Sequence, residues 1–224
     1  MENRIIDIII KEILLFYKII KFLIPSIPIT IQITLYSFLL AVILGLIIAL
    51  FRISYVKIFQ IISKIYVDVL RGIPLLVQIF FIYFGLGKIL KLEQFTAGVI
   101  AISICYSAYI SEIFRAGILA IPKGQYDASK SLGMNKYQTM RYVILPQAIR
   151  IIIPPISNEF IACLKDSSLV SIIGMRELTR AGREFYSQYF VDFEIWFIVG
   201  MFYLIMTAIA AKFARYIEKK LEIP

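Results

Sequence analysis

Several apolar runs of about 20 residues, separated by short polar stretches, constrain how this chain can fold more than any other feature. A helix of that length spans the hydrocarbon core of a bilayer. Hydrophobic residues make up 60% of the 224 residues and charged residues only 17%, whereas soluble domains are about one half apolar and one quarter charged. We therefore predict an all-α membrane protein with about five transmembrane helices.

The apolar runs, bounded by charged residues, Gly and Pro, define the predicted transmembrane domain, residues 28–214. Its predicted spans cover residues 29–51, 67–86, 95–113, 142–164 and 193–213. The stretch 114–141 is too polar to insert and too apolar to be an idle linker, so we expect a partner to dock there. Residues 215–224 form a polar C-terminal tail.

The N-terminal residues 1–27 differ from the spans because charges interrupt their apolar run at near-helical spacing. This pattern predicts an amphipathic helix that lies on the membrane surface. Pro25 and Pro28 are expected to end it. Charges inside the apolar run, and the lack of a small-residue cleavage site, argue against a cleavable signal peptide.

The residue composition excludes several classes of function. The 24 Lys and Arg against 15 Asp and Glu flank apolar runs rather than forming a patch, so we expect contact with membrane lipid and not with nucleic acid. There is no His, and Cys105 and Cys163 lie in separate apolar runs, which indicates neither a metal site nor a disulfide framework. We expect no catalysis by this chain. Lys and Arg are almost equally divided between the two sides, so charge leaves the orientation open.

One spaced motif is specific enough to indicate a family. Residues 124–148 read GQYDASKSLGMNKYQTMRYVILPQA. They resemble the cytoplasmic coupling segment of the permease subunits of binding-protein-dependent ABC importers, whose pattern is EAA, three residues, Gly, nine residues, I, any residue, LP. The matching positions keep the spacing throughout and are Asp127, Ala128, Ser129, Gly133, Val143, Leu145 and Pro146.

The same segment can be interpreted without the family. Asp127, Ala128 and Ser129 fall in one helical turn, Gly133 permits a positive φ, and Leu132 with Met134 offers an adaptable apolar knob. A short helix that ends in Gly suits a groove on a partner protein. From the residues alone, an ordinary amphipathic connector is an equal alternative.

The resemblance covers about residues 28–214 and is strongest to the polar amino acid uptake branch of importers. It is carried by DVLRGIPLLVQIFFIYFGL at 68–86, YISEIFRAGILAIPKGQ at 109–125 and SNEFIACLKDSSLVSIIG at 157–174. It implies the type I ABC importer permease fold, with five spans and a cytoplasmic coupling helix. It also implies a prokaryotic cytoplasmic membrane protein whose N-terminus is outside and whose C-terminus is inside.

The resemblance further implies the partners of this chain. They are a second permease chain, two cytoplasmic ATPase subunits and a separate extracytoplasmic amino-acid-binding protein. ATP and Mg would be bound by the ATPase subunits, and no cofactor by this chain. A homodimer is expected, although a heterodimer with another permease stays open.

Ionisable residues at membrane depth are costly and are therefore candidates for a substrate site. Glu159 follows the prolines at 154–155 and Asn158, which predict a break where backbone carbonyls, an amide and a carboxylate line a cavity. Such a carboxylate favours a cation, either an α-ammonium or a basic side chain. The alternative is a permanent ion pair with Arg150 or Lys165, although neither lies at same-face helical spacing.

The sequence Arg-Gly-Ile-Pro-Leu at 71–75 is a candidate for binding a carboxylate. Pro74 can occupy the first position of a new helix, whose free amides from Leu75 onward would face the anion together with Arg71. The alternative is a simple kink at Pro74 beside an ion pair between Asp68 and Arg71.

Four further residues are weaker candidates for the substrate site. Ser103 and Tyr106 offer hydroxyls within the third span, although small polar residues in spans more often pack helices together. Asp166 and Ser167 close the fourth span and either gate the cavity or cap the next helix, with capping the favoured explanation.

These observations predict an ATP-driven importer subunit that translocates polar, and specifically basic, amino acids such as arginine, lysine or histidine by alternating access. Import of glutamine or another polar amino acid is the alternative within the class, because Glu159 could instead hold the α-ammonium of any amino acid. A secondary transporter or a membrane scaffold without an ATPase partner is the alternative from another class.

Overall fold

The computed structural model describes residues 2–221, and every regular element in that range is helical. This confirms the all-α prediction. Met1 and residues 222–224, the outer ends of the predicted N-terminal helix and C-terminal tail, lie outside the described residues.

The described chain is a succession of long helices connected by short turns. The helices are α1 (Glu2–Leu23), α2 (Ile27–Arg52), α3 (Lys57–Gly72), α4 (Leu75–Phe80), α5 (Gly87–Leu90), α6 (Gln94–Leu119), α7 (Lys123–Ser131), α8 (Lys136–Gln138), α9 (Leu145–Asp166), α10 (Leu178–Tyr189) and α11 (Phe193–Leu221). Two π-helical stretches, Phe81–Leu86 and Thr139–Ile144, join α4 to α5 and α8 to α9. Two 3-10 turns, Ile24–Ser26 and Ser167–Ile173, follow α1 and α9.

Only some of these helices are long and apolar enough to cross a bilayer. Within the described chain they are Ile10–Arg52, Gln94–Leu119 and Phe193–Lys220. The pair of α3 with the arm Leu75–Leu90 qualifies when its two halves, bent by 103°, count as one span. The helix α9 does not qualify by itself, because prolines, amide side chains and charged residues interrupt its apolar residues. Five spans therefore stay a prediction.

The prediction that Pro25 and Pro28 end the N-terminal helix is confirmed at Pro25, because α1 ends at Leu23, and is wrong at Pro28, which lies inside α2. The chain stays helical across both prolines, through the turn Ile24–Ser26. Each proline lies in the first turn of the element that it begins, where a missing N–H breaks no helical hydrogen bond. Ile19 and Leu23 of α1 are fully buried in a cluster with residues of α10 and α11.

The predicted break at the tandem prolines of the fourth span is also wrong. The helix α9 runs unbroken from Leu145 to Asp166, with Pro154 and Pro155 inside it. The prolines remove two N–H donors, but the hydrogen bonds before and after them keep the helical path, as happens in membrane helices that pack against neighbours.

The helices α2 and α6 pack side by side and run in the same direction. The Ser103 hydroxyl of α6 donates to the Ser37 carbonyl of α2 over 3.1 Å, and further along Arg52 lies 2.9 Å from Glu112. Between these contacts α2 presents small buried residues spaced four apart: Ser37, Ala41, Gly45 and Ala49. Such a stripe lets two membrane helices approach closely.

The polar segments of the fold lie at opposite ends of this helix pair. At the start of α2, the Thr30 hydroxyl accepts the Leu178 N–H of α10 over 3.1 Å. At the far end lie Arg52 and Glu112, beyond which α6 leads through a short turn into α7. The α2–α6 pair therefore separates α10 from α7 and α8.

The helix α10 begins at a buried carboxylate. Glu177 is fully buried and accepts the N–H groups of Thr179 and Arg180, each over 2.8 Å, and the Tyr203 hydroxyl of α11 over 2.9 Å. Burial raises the pKa of Glu177 even though these donors favour its charged form. The cap thus fixes the start of α10 against α11.

The close approach of α2 and α6 predicts how a glycine substitution affects stability. A Cβ at Gly45 would lie 2.8 Å from Ile110 Cγ2 and 3.1 Å from the Ser107 carbonyl oxygen, so Gly45→Ala should force the helices apart. We expect a loss of about 1–3 kcal/mol, measured as a lower thermal unfolding midpoint of the purified protein. Gly200→Ala is the control, because a Cβ there meets no atom within 4 Å, and an unchanged midpoint for Gly45→Ala would contradict the packing.

Candidate functional site

Two cavities meet between α3, α6 and α9. Three side chains, Arg71, Tyr109 and Glu159, line both of them. The first has a volume of about 460 Å³ and extends to the turn between α3 and α4; it is further lined by Gly72, Ile73, Pro74, Leu75, Cys105, Tyr106 and Asp166. The second has a volume of about 480 Å³ and extends between α6 and α9 to Glu112. We call the first the corner cavity and the second the α6–α9 cavity.

Helical spacing explains why these side chains converge. The residues that α6 and its C-cap contribute are Cys105, Tyr106, Tyr109, Glu112, Ile113, Ala116, Gly117 and Ala120. They recur every three or four positions and therefore share one helix face. Ile151, Pro155 and Glu159 of α9 are spaced four apart and form the opposite wall.

In the part of the chain that the structure describes, Arg71 and Glu159 of the corner cavity form no ion pair. The Arg71 guanidinium lies over the Tyr109 ring, 5.2 Å from its centroid, a cation–π arrangement. Among the described residues, Arg71 has no carboxylate and Glu159 no cationic group within 4.0 Å. Arg71 can therefore bind a ligand carboxylate, and Glu159 can bind a ligand cation.

The ion pairs considered as alternatives for these residues are not formed in the described chain. Asp68 is exposed and makes no ion pair with Arg71. Arg150 and Lys165 are exposed and do not pair with Glu159. This outcome agrees with their helical spacing from Glu159, which places them on other faces.

A hydrogen bond joins α6 to α9 at the far wall of the corner cavity. The Tyr106 hydroxyl donates to Asp166 Oδ2 over 2.7 Å. The predicted capping role of Asp166 and Ser167 is wrong: Asp166 makes no side-chain cap, and the Ser167 hydroxyl donates back to the Leu164 carbonyl over 2.8 Å. The 3-10 turn that starts at Ser167 continues α9 directly, so no separate helix start needs a cap there.

The turn between α3 and α4 supplies backbone donors to the cavity. Pro74 was predicted to be the first residue of α4. Instead it is the N-cap, as its ψ of 139° shows, and α4 begins one residue later, at Leu75. The N–H groups of Val77 and Gln78 bond to the Pro74 carbonyl over 3.0 and 3.2 Å. The N–H groups of Leu75 and Leu76, in the first turn of α4, have no carbonyl partner within that helix, and Leu75 lines the corner cavity.

Some predicted substrate residues lie outside both cavities. They are Asp68, Ser103, Asn158 and Ser167. The Ser103 hydroxyl donates to the Ser37 and Val99 carbonyls, which supports the alternative of helix packing. Asn158 is exposed, because the unbroken helix α9 turns it away from the wall that carries Glu159.

Sequence reasoning missed Tyr109 and Cys105 as cavity residues. Tyr109 lies three residues after Tyr106 and three before Glu112, so the shared face of a predicted helix could have indicated it. Cys105 precedes Tyr106 directly and gave no comparable sign. In the described chain no group of three His, Cys, Asp or Glu is arranged to hold a metal ion.

An ion cluster closes the far end of the α6–α9 cavity. Glu112 lies 2.9 Å from Arg52 of α2 and 2.8 Å from Arg115 of α6. Its side chain is 20% exposed and that of Arg52 is 16% exposed, so solvent screens the cluster only in part. The cluster ties the end of α2 to α6 on the side where α7 follows.

The helix α7 ends in a left-handed glycine turn. Gly133 has a φ of +75°, its N–H bonds to the Lys130 carbonyl over 2.9 Å, and the Met134 N–H bonds to the Ser129 carbonyl over 3.1 Å. These two bonds define a Schellman motif, which favours Gly at the left-handed position. Gly133 therefore adopts the positive φ that the sequence indicated a glycine would permit there.

The residues predicted to couple this segment to a partner fall into two groups. Asp127, Ala128, Leu132 and Gly133 are exposed, and the Leu132 side chain is 78% exposed. Ser129 is buried, and its hydroxyl donates to the Tyr126 carbonyl over 2.8 Å and lies 2.9 Å from the Thr139 hydroxyl. Met134 is half-buried and lines a cleft beside Tyr55 and Tyr126. Ser129 thus holds the segment together, whereas the first group is accessible at the surface.

Comparison with known proteins agrees with this arrangement of helices. Residues 41–223 match the family described as "Binding-protein-dependent transport system inner membrane component". The chain belongs to this family and is a permease subunit of an amino acid ABC importer. Permeases of this kind work with ATPase and binding-protein partners, and they are inner membrane components of their transport systems.

Individual relatives share sequence and structure over most of the chain. The glutamine transport system permease protein GlnP of Escherichia coli (strain K12) is 42% identical over 165 residues, which cover 72% of this chain and 75% of GlnP. The arginine transport system permease protein ArtQ of Bacillus subtilis (strain 168) is 36% identical over 205 residues, covering 91% and 94%. A chain in the crystal structure of an amino acid ABC transporter with histidines is 40% identical, with a TM-score of 0.87 over 92% of this chain and 97% of that one.

The ion cluster generates a prediction about stability. Glu112→Gln removes the carboxylate between two guanidinium groups, so it should lower the thermal unfolding midpoint, as should Arg52→Gln. Because the residues are in contact, the double variant should lose less than the sum, with an interaction of about 0.5–3 kcal/mol. Additive losses in this double-mutant cycle would show that the contact does not stabilise the fold.

Proposed function

We propose that this permease translocates basic amino acids, with arginine, lysine and histidine as the candidates, across the cytoplasmic membrane by ATP-driven alternating access. The observation that carries the proposal is the charge balance of the corner cavity. Its lining includes one guanidinium, Arg71, and two carboxylates, Glu159 and Asp166. Because uncompensated charges at membrane depth are costly, the ligand that neutralises this set best has one anionic and two cationic groups.

A basic amino acid has that set of charges. Its α-carboxylate would bind Arg71 and the N–H groups of Leu75 and Leu76, because a guanidinium and a helix start both favour carboxylates. Its α-ammonium and its side-chain cation would each face one of the two carboxylates, Glu159 and Asp166. Arginine and lysine carry the side-chain cation permanently at neutral pH, whereas histidine does so only when protonated.

A neutral polar amino acid such as glutamine is the second candidate, and the Tyr106 hydrogen bond favours it. The Tyr106 hydroxyl already donates to Asp166 over 2.7 Å, which satisfies part of that carboxylate without a ligand. Glu159 alone would then bind the α-ammonium that every amino acid carries. The similarity to GlnP, a glutamine transport system permease protein, is consistent with this candidate.

The assembly that we propose is a homodimer with two ATPase subunits, which bind ATP and Mg, and a separate amino-acid-binding protein. This chain would bind no cofactor and would cross the membrane five times, with its N-terminus outside and residues 215–224 inside. The separation of α10 from α7 by the α2–α6 pair supports placing them on opposite sides of the membrane, and the proposed contact of α7 with the ATPase assigns α7 to the cytoplasm and α10 to the outside. The exposed residues Asp127, Ala128, Leu132 and Gly133 would contact the ATPase.

Uptake into vesicles tests the substrate. Vesicles that contain this chain, its ATPase and its binding protein, with ATP inside, should take up labelled arginine, and unlabelled lysine and histidine should compete. Competition led by glutamine would support the second candidate.

Charge removal on α9 separates the two candidates further. In the permease–ATPase complex without the binding protein, we expect Glu159→Gln and Asp166→Asn each to weaken arginine binding, but only one of the two to weaken glutamine binding, because glutamine lacks the side-chain cation. The loss should be about tenfold or more for each broken charged contact. Unchanged arginine binding in both variants would contradict the proposed site.

The turn at Gly133 predicts a matched pair of variants for coupling. A Cβ meets no atom within 4 Å at Gly133 or at Gly124, but only Gly133 has a positive φ. Gly133→Ala should therefore strain the end of α7 by about 1–2 kcal/mol, whereas Gly124→Ala should not. We expect Gly133→Ala to reduce ATP-driven uptake several-fold with the protein still folded, and Gly133→Asp to abolish it. Normal uptake in both Gly133 variants would contradict a coupling role.

A further inference from the structure

We infer that Gln78 is a positioning residue for carboxylate recognition. Its side-chain amide takes the place of the backbone N–H donor that Pro74 lacks. The amide thereby fixes the turn that presents Arg71 and the first N–H groups of α4 to the corner cavity. This inference rests on the proposed role of that cavity in binding an amino acid. It adds a residue that does not line the cavity itself.

The hydrogen bonds of Gln78 lie at the turn between α3 and α4. Its side-chain nitrogen donates to the Leu70 carbonyl and to the Ile73 carbonyl, each over 2.9 Å. Because both partners are carbonyl oxygens, which only accept hydrogen bonds, the nitrogen and not the oxygen of the amide must face them. The residue is only 6% exposed.

Both carbonyls would otherwise lack a donor. In an unbroken helix the Leu70 carbonyl accepts the N–H of residue 74, but Pro74 has none. The Ile73 carbonyl would accept the N–H of Val77, which bonds to the Pro74 carbonyl over 3.0 Å. Unpaired carbonyls are costly where water is scarce, so the Gln78 amide stabilises the turn of 103°.

A third contact connects the turn to the cavity wall. The same amide nitrogen lies 3.5 Å from Cys105 Sγ of α6, and Cys105 lines the corner cavity. Gln78 therefore fixes the distance between the turn and the wall that also carries Tyr109, against which Arg71 lies.

The backbone beside Arg71 has free space around it. A Cβ at Gly72 would meet no atom within 4 Å, so no side chain packs against the Gly72 Cα from that direction. In the described chain no carboxylate lies within 4.0 Å of Arg71. The direction in which Arg71 points thus depends on the turn and on Tyr109.

Because of this geometry, Gln78 should affect how the α-carboxylate of the substrate is bound and not how the side chain of the substrate is recognised. Arg71, Leu75 and Leu76 belong to the turn, whereas Glu159 and Asp166 belong to α9. Moving the turn should therefore weaken binding of the α-carboxylate and leave the cation contacts unchanged. Arginine and glutamine should lose affinity by the same factor.

The test compares arginine with agmatine, which is arginine without the α-carboxylate. Equilibrium binding to the purified permease–ATPase complex in lipid nanodiscs gives both affinities. For Gln78→Met, which has similar length but no donor, we expect arginine to bind about tenfold more weakly and agmatine to bind as in the wild type.

Two further variants control the test. Gln60→Met removes an exposed glutamine of α3 whose amide donates to the Ser54 carbonyl over 2.6 Å, and both affinities should stay at wild-type values. Gln78→Asn keeps the amide on a shorter side chain and should lose part of the arginine affinity. If Gln78→Met does not fold, the Asn variant decides the result.

The inference is overturned if folded Gln78 variants bind arginine normally, or if arginine and agmatine lose the same factor, which indicates a purely structural role. A wild-type complex that binds glutamine and not arginine would contradict the proposed substrate only. The comparison is then made with glutamine and 4-aminobutanamide, its counterpart without the carboxylate. Normal glutamine binding by folded Gln78 variants, or an equal loss for both compounds, would overturn the role of Gln78.

Discussion

Within a bilayer, each backbone N–H and C=O group must find a hydrogen-bond partner inside the protein. The shape of the corner cavity depends on how this constraint is met at one proline, Pro74. Pro74 ends α3, the chain turns by 103°, and the Gln78 amide bonds to the two carbonyls that the turn leaves without donors. The turn costs little as a result, and it exposes N–H groups at the start of α4 that a continuous helix would have used internally.

The second determinant is the placement of charge around that turn. Arg71, Glu159 and Asp166 surround one cavity, and within the described chain no ion pair neutralises any of them. Arg52, Glu112 and Arg115, in contrast, form a cluster in which the charges are paired. This contrast is why we assign the corner cavity to a charged ligand and the cluster to the fold.

Sequence patterns predicted features that depend on local geometry, and they failed where packing decides. The all-α class and the glycine turn at Gly133 follow from hydrophobic runs and from backbone freedom at a spaced motif. Residues 154–155 were expected to break α9, but neighbouring helices keep it continuous. The helical spacing of Tyr109 could have indicated its place on the cavity wall, but its contact with Arg71 depends on how α3 lies against α6, which no single periodic pattern reports.

The most direct test of this account is an experimental structure of the permease–ATPase complex with bound arginine. We predict that the α-carboxylate contacts the Arg71 guanidinium and the N–H groups of Leu75 and Leu76, while the two cationic groups face Glu159 and Asp166. An arginine whose carboxylate points away from Arg71, or that binds outside the corner cavity, would contradict the account.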